Sequence, residues 1–492
     1  MLRTVNPPVA FALLGLLTAA VYAGIVYLYP LTVFGVATRP YDLEQLSRGR
    51  PWAAGFYVVG LLTVFAAFAA AAWLVRRMRR PLAPVVGFGV LFALILVWIY
   101  PVTAIDVFYY VLQGRQEVIY DLNPLVEPAS QVPNDPLVPF VGEWSTFPSP
   151  YGPIWGVVSA TVVRLGFVGP IDGALAFKAI ALAVYGLCLL LLIWGTNGNA
   201  VAVLLFAWNP LVLLQGPGHA HNDLAMIAVA AAALVIWEKR RWWAAAIVVL
   251  ALAASIKIPV LILGPLLLVS ILRAEPTWRR RSGVFGAAVL LGAATLVIAF
   301  VPYWPPWVSL AGLPKVYASQ HTYAIVSLVW LGLMNLHVGS PWVEGPRVLG
   351  LLVLLAGYGY LLRQVWLGRM ALYAAGFWAF FLYLLTAASY RIWYPLWLVP
   401  LAALSIGEMG DGIARARMYW RTYLISLTSE LSILMFYLVW RWLLNGTVLP
   451  KADWFAMHLL VIPWQFGVPL LAPLLIRRRP AERSETTQKG EG

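Results

Sequence analysis

Residues 84–106 read PVVGFGVLFALILVWIYPVTAID, and this stretch decides the fold. Pro84 to Tyr100 is an unbroken apolar run, about the minimum length for crossing a bilayer as a helix. Six residues later comes Asp106, a carboxylate at the mouth of that span, where desolvation is costly enough to imply a task. From Val102 to Pro150 the chain is no longer membrane-like. It carries Asp106, Glu117, Asp121, Glu127, Asp135 and Glu143 against Arg115 alone.

The whole chain repeats the apolar half of this pattern. Of its 492 residues 62% are hydrophobic and 11% charged, with mean hydropathy +0.81. A soluble protein of this size needs more surface charge, so the expected class is an all-α polytopic membrane protein. The net charge of +14 does not point to nucleic acid. The basic residues fall in short blocks between apolar runs: Arg76 to Arg80, Lys239 to Arg241, Arg279 to Arg281, Arg363 to Arg369, Arg415 to Arg421 and Arg477 to Arg479. Such blocks mark cytoplasmic loops. The single cysteine, Cys188, excludes an intramolecular disulfide and a cysteine-based metal cluster.

These blocks fix an expected topology. Val9–Tyr29 and Ala53–Val75 form a two-span extension (residues 1–81), and Pro84–Tyr100 then crosses outward, placing Asp106 on the outer face. Counting Tyr151–Phe167 as a crossing would set the acidic loop against the arginine blocks. That run, with Pro150 and Pro153 at its start, is therefore expected to lie along the outer surface. Residues 102–172 become one large outer loop with interfacial helices at Val107–Ile119 and Ile154–Phe167. Ala200–Gln215 and Leu224–Trp237 are expected as spans, within a module that runs from residue 82 to residue 275. A variable region, 276–476, follows, with a second outer loop at 302–345 and an apolar stretch at Ala324–Leu336. The total is about fourteen crossings with both termini cytoplasmic, and the polar tail 477–492 reads as disordered.

Polar constellations gather on the outer side: Asp106 with Tyr109, Tyr110, Gln113 and Arg115; Tyr151-Gly152-Pro153; His219-Ala220-His221-Asn222-Asp223; Lys257; the His321 region; and Arg391-Ile392-Trp393-Tyr394. Each has a plain alternative. Asp106 could cap the helix beginning at Val107, and Asn222 or Asp223 the span at Leu224. Lys257 could snorkel, and Arg391 could anchor at the interface. His219, His221 and Asp223 are metal-ligand types, but three in a Gly/Pro turn are a weak signal. Together, a carboxylate and two cations at a lipid interface suit a base that takes a proton and cations that hold a phosphate.

At these residues the chain resembles the GT-C membrane glycosyltransferases that use polyprenyl-phosphate sugars. It is most similar to the actinobacterial polyprenol-phosphate-mannose-dependent α-mannosyltransferases. The likeness lies in the loop-opening Asp106, Tyr151-Gly152-Pro153, Asn209-Pro210-Leu211, the Gly218 to Asp223 string, and Tyr394 to Leu401. His221, Asn222 and Asp223 match the expected glycine-histidine-asparagine-aspartate string; His219 does not. The resemblance implies an inverting hexose (mannose) transfer to an acceptor glycan or glycolipid, with Asp106 as general base. Tyr109, Gln113, Tyr151, His221, Asn222, Asp223, Lys257, Arg391 and Tyr394 would bind substrate. Lys257 or Arg391 would offset the leaving phosphate, and the acceptor would enter past Trp144 and Tyr151. No essential metal or cofactor is expected. The partners are the lipid donor, the acceptor and membrane lipids, in the plasma membrane. Two rivals remain: a polysaccharide polymerase or ligase using diphosphate-linked donors, and a lipid-linked sugar flippase. The flippase is disfavoured by long, unequal loops without repeated halves.

Overall fold

The computed structural model describes residues 6–34, 40–310, 322–339, 342–446 and 451–476. The His321 region and the tail 477–492 lie outside them. All regular secondary structure there is helical apart from two isolated bridges. Among the described residues, the α-helices of eight or more residues are α1 (Pro7–Leu28), α2 (Pro51–Val75), α3 (Leu82–Leu96), α4 (Asp106–Tyr120), α5 (Pro153–Arg164), α6 (Pro170–Gly195), α7 (Ala200–Ala207), α8 (Asp223–Arg240) and α9 (Trp243–Ala254). They continue with α10 (Leu263–Ala274), α11 (Trp278–Ala299), α12 (Ile325–Asn335), α13 (Gly345–Trp366), α14 (Leu372–Thr386), α15 (Leu398–Glu408), α16 (Gly412–Leu434) and α17 (Lys451–Leu471).

The protein is an all-α polytopic membrane protein. Among the described residues, seven helices are long and apolar enough to cross a bilayer, or eight if the one bent pair is a single span. Several helices, α3, α9 and α14 among them, are apolar but shorter, so length alone does not yield the expected fourteen.

Two expectations about local structure are corrected. The run Ala200–Gln215 is not one helix. It breaks after Ala207, and the second half (Pro210–Gly218, π-helical from Leu214) departs by 49°. Pro210 supplies the reason, since it lacks an N–H and disfavours helix at the preceding residue. Asn209 stabilises the break by accepting from the Leu211 amide (3.1 Å) and donating to Ser426 Oγ (3.1 Å). The block Arg415 to Arg421 is not a loop; it lies in the first turns of α16. Arg421 is buried there, its guanidinium 4.8 Å from the Trp378 ring centroid.

The two short helices expected at the interface do form, as α4 and α5, and they pack on each other. Gly114 of α4 makes this possible, because a Cβ there would collide with the Ser159 carbonyl of α5. Farther on, the backbone amides of Gly152 and Ile154 bond the carbonyls of Ile256 (2.9 Å) and Ser255 (3.0 Å). The start of α5 is thereby tied to the segment carrying Lys257, before any side chain of the site is considered.

Candidate active site

Asp106 and Asp223 both occupy the first turn of a helix, where the macrodipole favours negative charge. Neither caps through its side chain, and Asn222, at the N-cap position of α8, makes no side-chain cap bond. The capping alternative therefore fails for all three. Their side chains are engaged elsewhere.

Asp106 accepts a hydrogen bond from the Tyr151 hydroxyl (3.0 Å to Oδ2), and His221 Nδ1 stands 3.4 Å from the same oxygen. Burial alone would raise the Asp106 carboxyl. His221, the Lys257 charge and the Tyr151 hydroxyl outweigh burial and hold it below its ordinary value. Burial and the neighbouring carboxylates push the Tyr151 hydroxyl well up, so it remains a donor. His221 is held in turn by stacking on Trp393, with ring centroids 4.1 Å apart.

Asp223 is fully buried and forms a different unit. Lys257 Nζ bonds both its oxygens (3.0 and 2.8 Å), and Trp397 Nε1 donates to Oδ1 (2.6 Å). The Lys257 ammonium also lies 5.5 Å from the Tyr151 ring centroid and 5.7 Å from that of Tyr394. Lys257 is thus an ion-paired interior residue rather than a snorkelling one.

A cavity of about 420 Å³ opens beside these groups. Asp106, Tyr109, Trp144, Tyr151, Lys257, Arg391 and Tyr394 line it, as the sequence leads one to expect. Arg391 lies 5.7 Å over the Trp144 ring and makes no ion pair among the described residues. Four expected site residues do not line the cavity. Gln113 is buried and donates to Ser149 Oγ (2.8 Å). His221, Asn222 and Asp223 stand behind the lining, where His221 faces Asp106 and Asp223 holds Lys257. The Asn222 amide N–H donates to Tyr110 (3.2 Å), while its side chain has no protein partner among the described residues. His219 turns away to Thr103 and Gln215, both 3.1 Å from Nδ1. His219, His221 and Asp223 thus have different nearest partners: Thr103 and Gln215, Asp106, and Lys257.

Sequence reasoning missed four contributors. Arg347 and Tyr383 line the cavity from α13 and α14. An arginine two residues past the expected outer loop 302–345 runs against the positive-inside pattern, and that was the available signal. Lys178 and Glu430 are buried ionisable residues inside spanning helices. Lys178 Nζ donates to the carbonyls of Ile99 (2.6 Å) and Gly218, and Glu430 accepts from Gln215 (2.8 Å). They grip the broken segment that leads into His221 and Asp223. Ionisable residues at such depth are rare enough to flag from sequence.

No curated protein matches the chain. A family model described as alpha-(1->6)-mannopyranosyltransferase, N-terminal domain, matches residues 11–273, just over half of the 492. That range contains Asp106, Tyr151, the His221 to Asp223 string and Lys257, while Arg347 and Arg391 lie beyond it. The chain belongs to the alpha-(1->6)-mannopyranosyltransferase family and is a membrane glycosyltransferase that transfers mannose.

Proposed function

We propose that this enzyme takes mannose from a polyprenyl-phosphate-linked donor and transfers it, with inversion, to an acceptor glycan or glycolipid at the outer membrane face. The observation that carries this reading is the 420 Å³ cavity with the Asp106 carboxylate on its wall and Lys257 and Arg391 beside it. Asp106 accepts the proton of the acceptor hydroxyl as that oxygen attacks the anomeric carbon. The bond from that carbon to the phosphate oxygen breaks, and polyprenyl phosphate leaves with the bonding pair. Arg391, without an ion pair among the described residues, can meet the phosphate through two parallel hydrogen bonds, and Lys257 contributes a point charge. A depressed carboxyl keeps Asp106 ionised and ready to accept a proton. The aromatic walls, Tyr109, Trp144, Tyr151 and Tyr394, suit sugar rings, while Pro259, Leu351 and Leu354 give the cavity an apolar side for the donor's lipid. The acidic loop, lying opposite the basic blocks, supports the outer-face assignment.

The test is to incubate purified protein with radiolabelled polyprenyl-phosphate sugars, a diphosphate-linked donor among them, and to follow label leaving the lipid. Transfer from the mannosyl monophosphate donor is expected. Asp106→Asn is expected to cut it by about 10²- to 10⁴-fold without changing detergent stability. Normal turnover by that variant, or transfer from the diphosphate donor alone, would refute the reading.

A further inference from the structure

Five helices that build the active-site end also build a second cavity at their opposite ends. From the site outward, α8 starts at Asp223, α10 follows Lys257 and Pro259, α13 starts beside Arg347, α14 ends at Thr386, and α15 follows Trp397. Their other ends supply Glu238, Arg241, Ser270, Arg273, Val365, Leu372 and Glu408 to a cavity of about 550 Å³. The 18 residues of α8 separate the two by about 27 Å, close to the thickness of a bilayer's hydrocarbon core.

Three guanidinium groups converge there from separate elements: Arg241 after α8, Arg273 at the end of α10, and Arg369 between α13 and α14. Arg241 is committed, paired with Glu238 (3.2 Å) and lying 4.8 Å over Trp237. The side chains of Arg273 and Arg369 make no hydrogen bond or ion pair among the described residues, although the Arg369 backbone N–H donates to Gln364 (2.9 Å). Arg273 is nevertheless placed, because its guanidinium lies against Gly368, where a Cβ would overlap it and where φ is +69°. Ser270 Oγ accepts from Trp237 Nε1 (2.8 Å), leaving its hydroxyl proton to donate. Basic residues are common at this face, and Arg279 and Arg280 are exposed as Arg273 and Arg369 are, but they do not line this cavity.

We propose that this cavity binds a phosphate-bearing anion, held by Arg273 and Arg369, with Ser270 donating and Glu408 accepting from a hydroxyl of the ligand. A phosphodiester lipid headgroup carrying hydroxyls and free phosphate share this chemistry. The site lies away from the transfer chemistry, so it stands whether or not the proposed donor is correct.

Full-length protein is placed in nanodiscs of phosphatidylglycerol or phosphatidylcholine, and retained lipid is counted by native mass spectrometry. In parallel, inorganic phosphate is titrated into detergent-purified protein by calorimetry. We expect saturable binding that Arg273→Ala/Arg369→Ala weakens by about tenfold or more, while Arg279→Ala/Arg280→Ala leaves it unchanged. Retention of phosphatidylglycerol over phosphatidylcholine identifies a headgroup, and phosphate binding alone identifies a soluble anion; either result supports the site. The proposal is overturned if phosphate does not bind and the two lipids are retained equally, or if both double variants weaken binding alike.

Discussion

Lys257→Met tests how the site is held together. The substitution keeps the length of the side chain and removes its charge, leaving the fully buried Asp223 carboxylate with only Trp397 Nε1 as donor. Breaking one partner of a buried pair costs about 3–5 kcal/mol, or roughly 150- to 5,000-fold in the unfolding equilibrium. Adding Asp223→Asn removes the stranded charge, so the double variant is expected to regain most of that stability. The coupling is measured by a double-mutant cycle of denaturant unfolding in detergent, followed by tryptophan fluorescence. Transfer activity separates the two roles of Lys257. With the pair replaced by neutral groups the protein folds, yet nothing at residue 257 offsets the leaving phosphate, and activity stays low. A Lys257→Met protein as stable as its parent refutes the energetic argument. A double variant with full activity refutes the phosphate role.

Other outcomes follow from the same geometry. His221→Gln removes the largest influence opposing burial at Asp106, so its carboxyl rises. A depressed base stays ionised, and active, above its folded pKa and is lost as pH falls through it. The acid limb of kcat/KM therefore moves to higher pH in the variant, and an unmoved limb contradicts the assignment. Gly114→Ala forces a Cβ onto the Ser159 carbonyl and is expected to destabilise by about 1–3 kcal/mol, seen as a lower Tm, and to reduce kcat because α4 carries Asp106. Mannosyl transfer is expected to survive EDTA, since His219, His221 and Asp223 face separate partners; loss restored by manganese or zinc would reverse that view.

The amino-acid sequence by itself determined the helical membrane class, the position of Asp106 where an apolar run meets an acidic loop, and the helices at α4 and α5. Hydropathy and helix period are local properties, and a few turns of chain express them fully. Tertiary structure decided which carboxylate does what. Asp106 and Asp223 look alike in sequence, each near a helix start. Only packing gives Asp223 to Lys257 and Trp397, residues 34 and 174 positions away, and leaves Asp106 on a cavity wall. The entry of Arg347 from α13 and the second cavity were settled the same way, whereas the break at Asn209 has a local cause in Pro210. A pair's strength depends on ångström distances between residues far apart in the chain, and hydropathy contains no term for that distance.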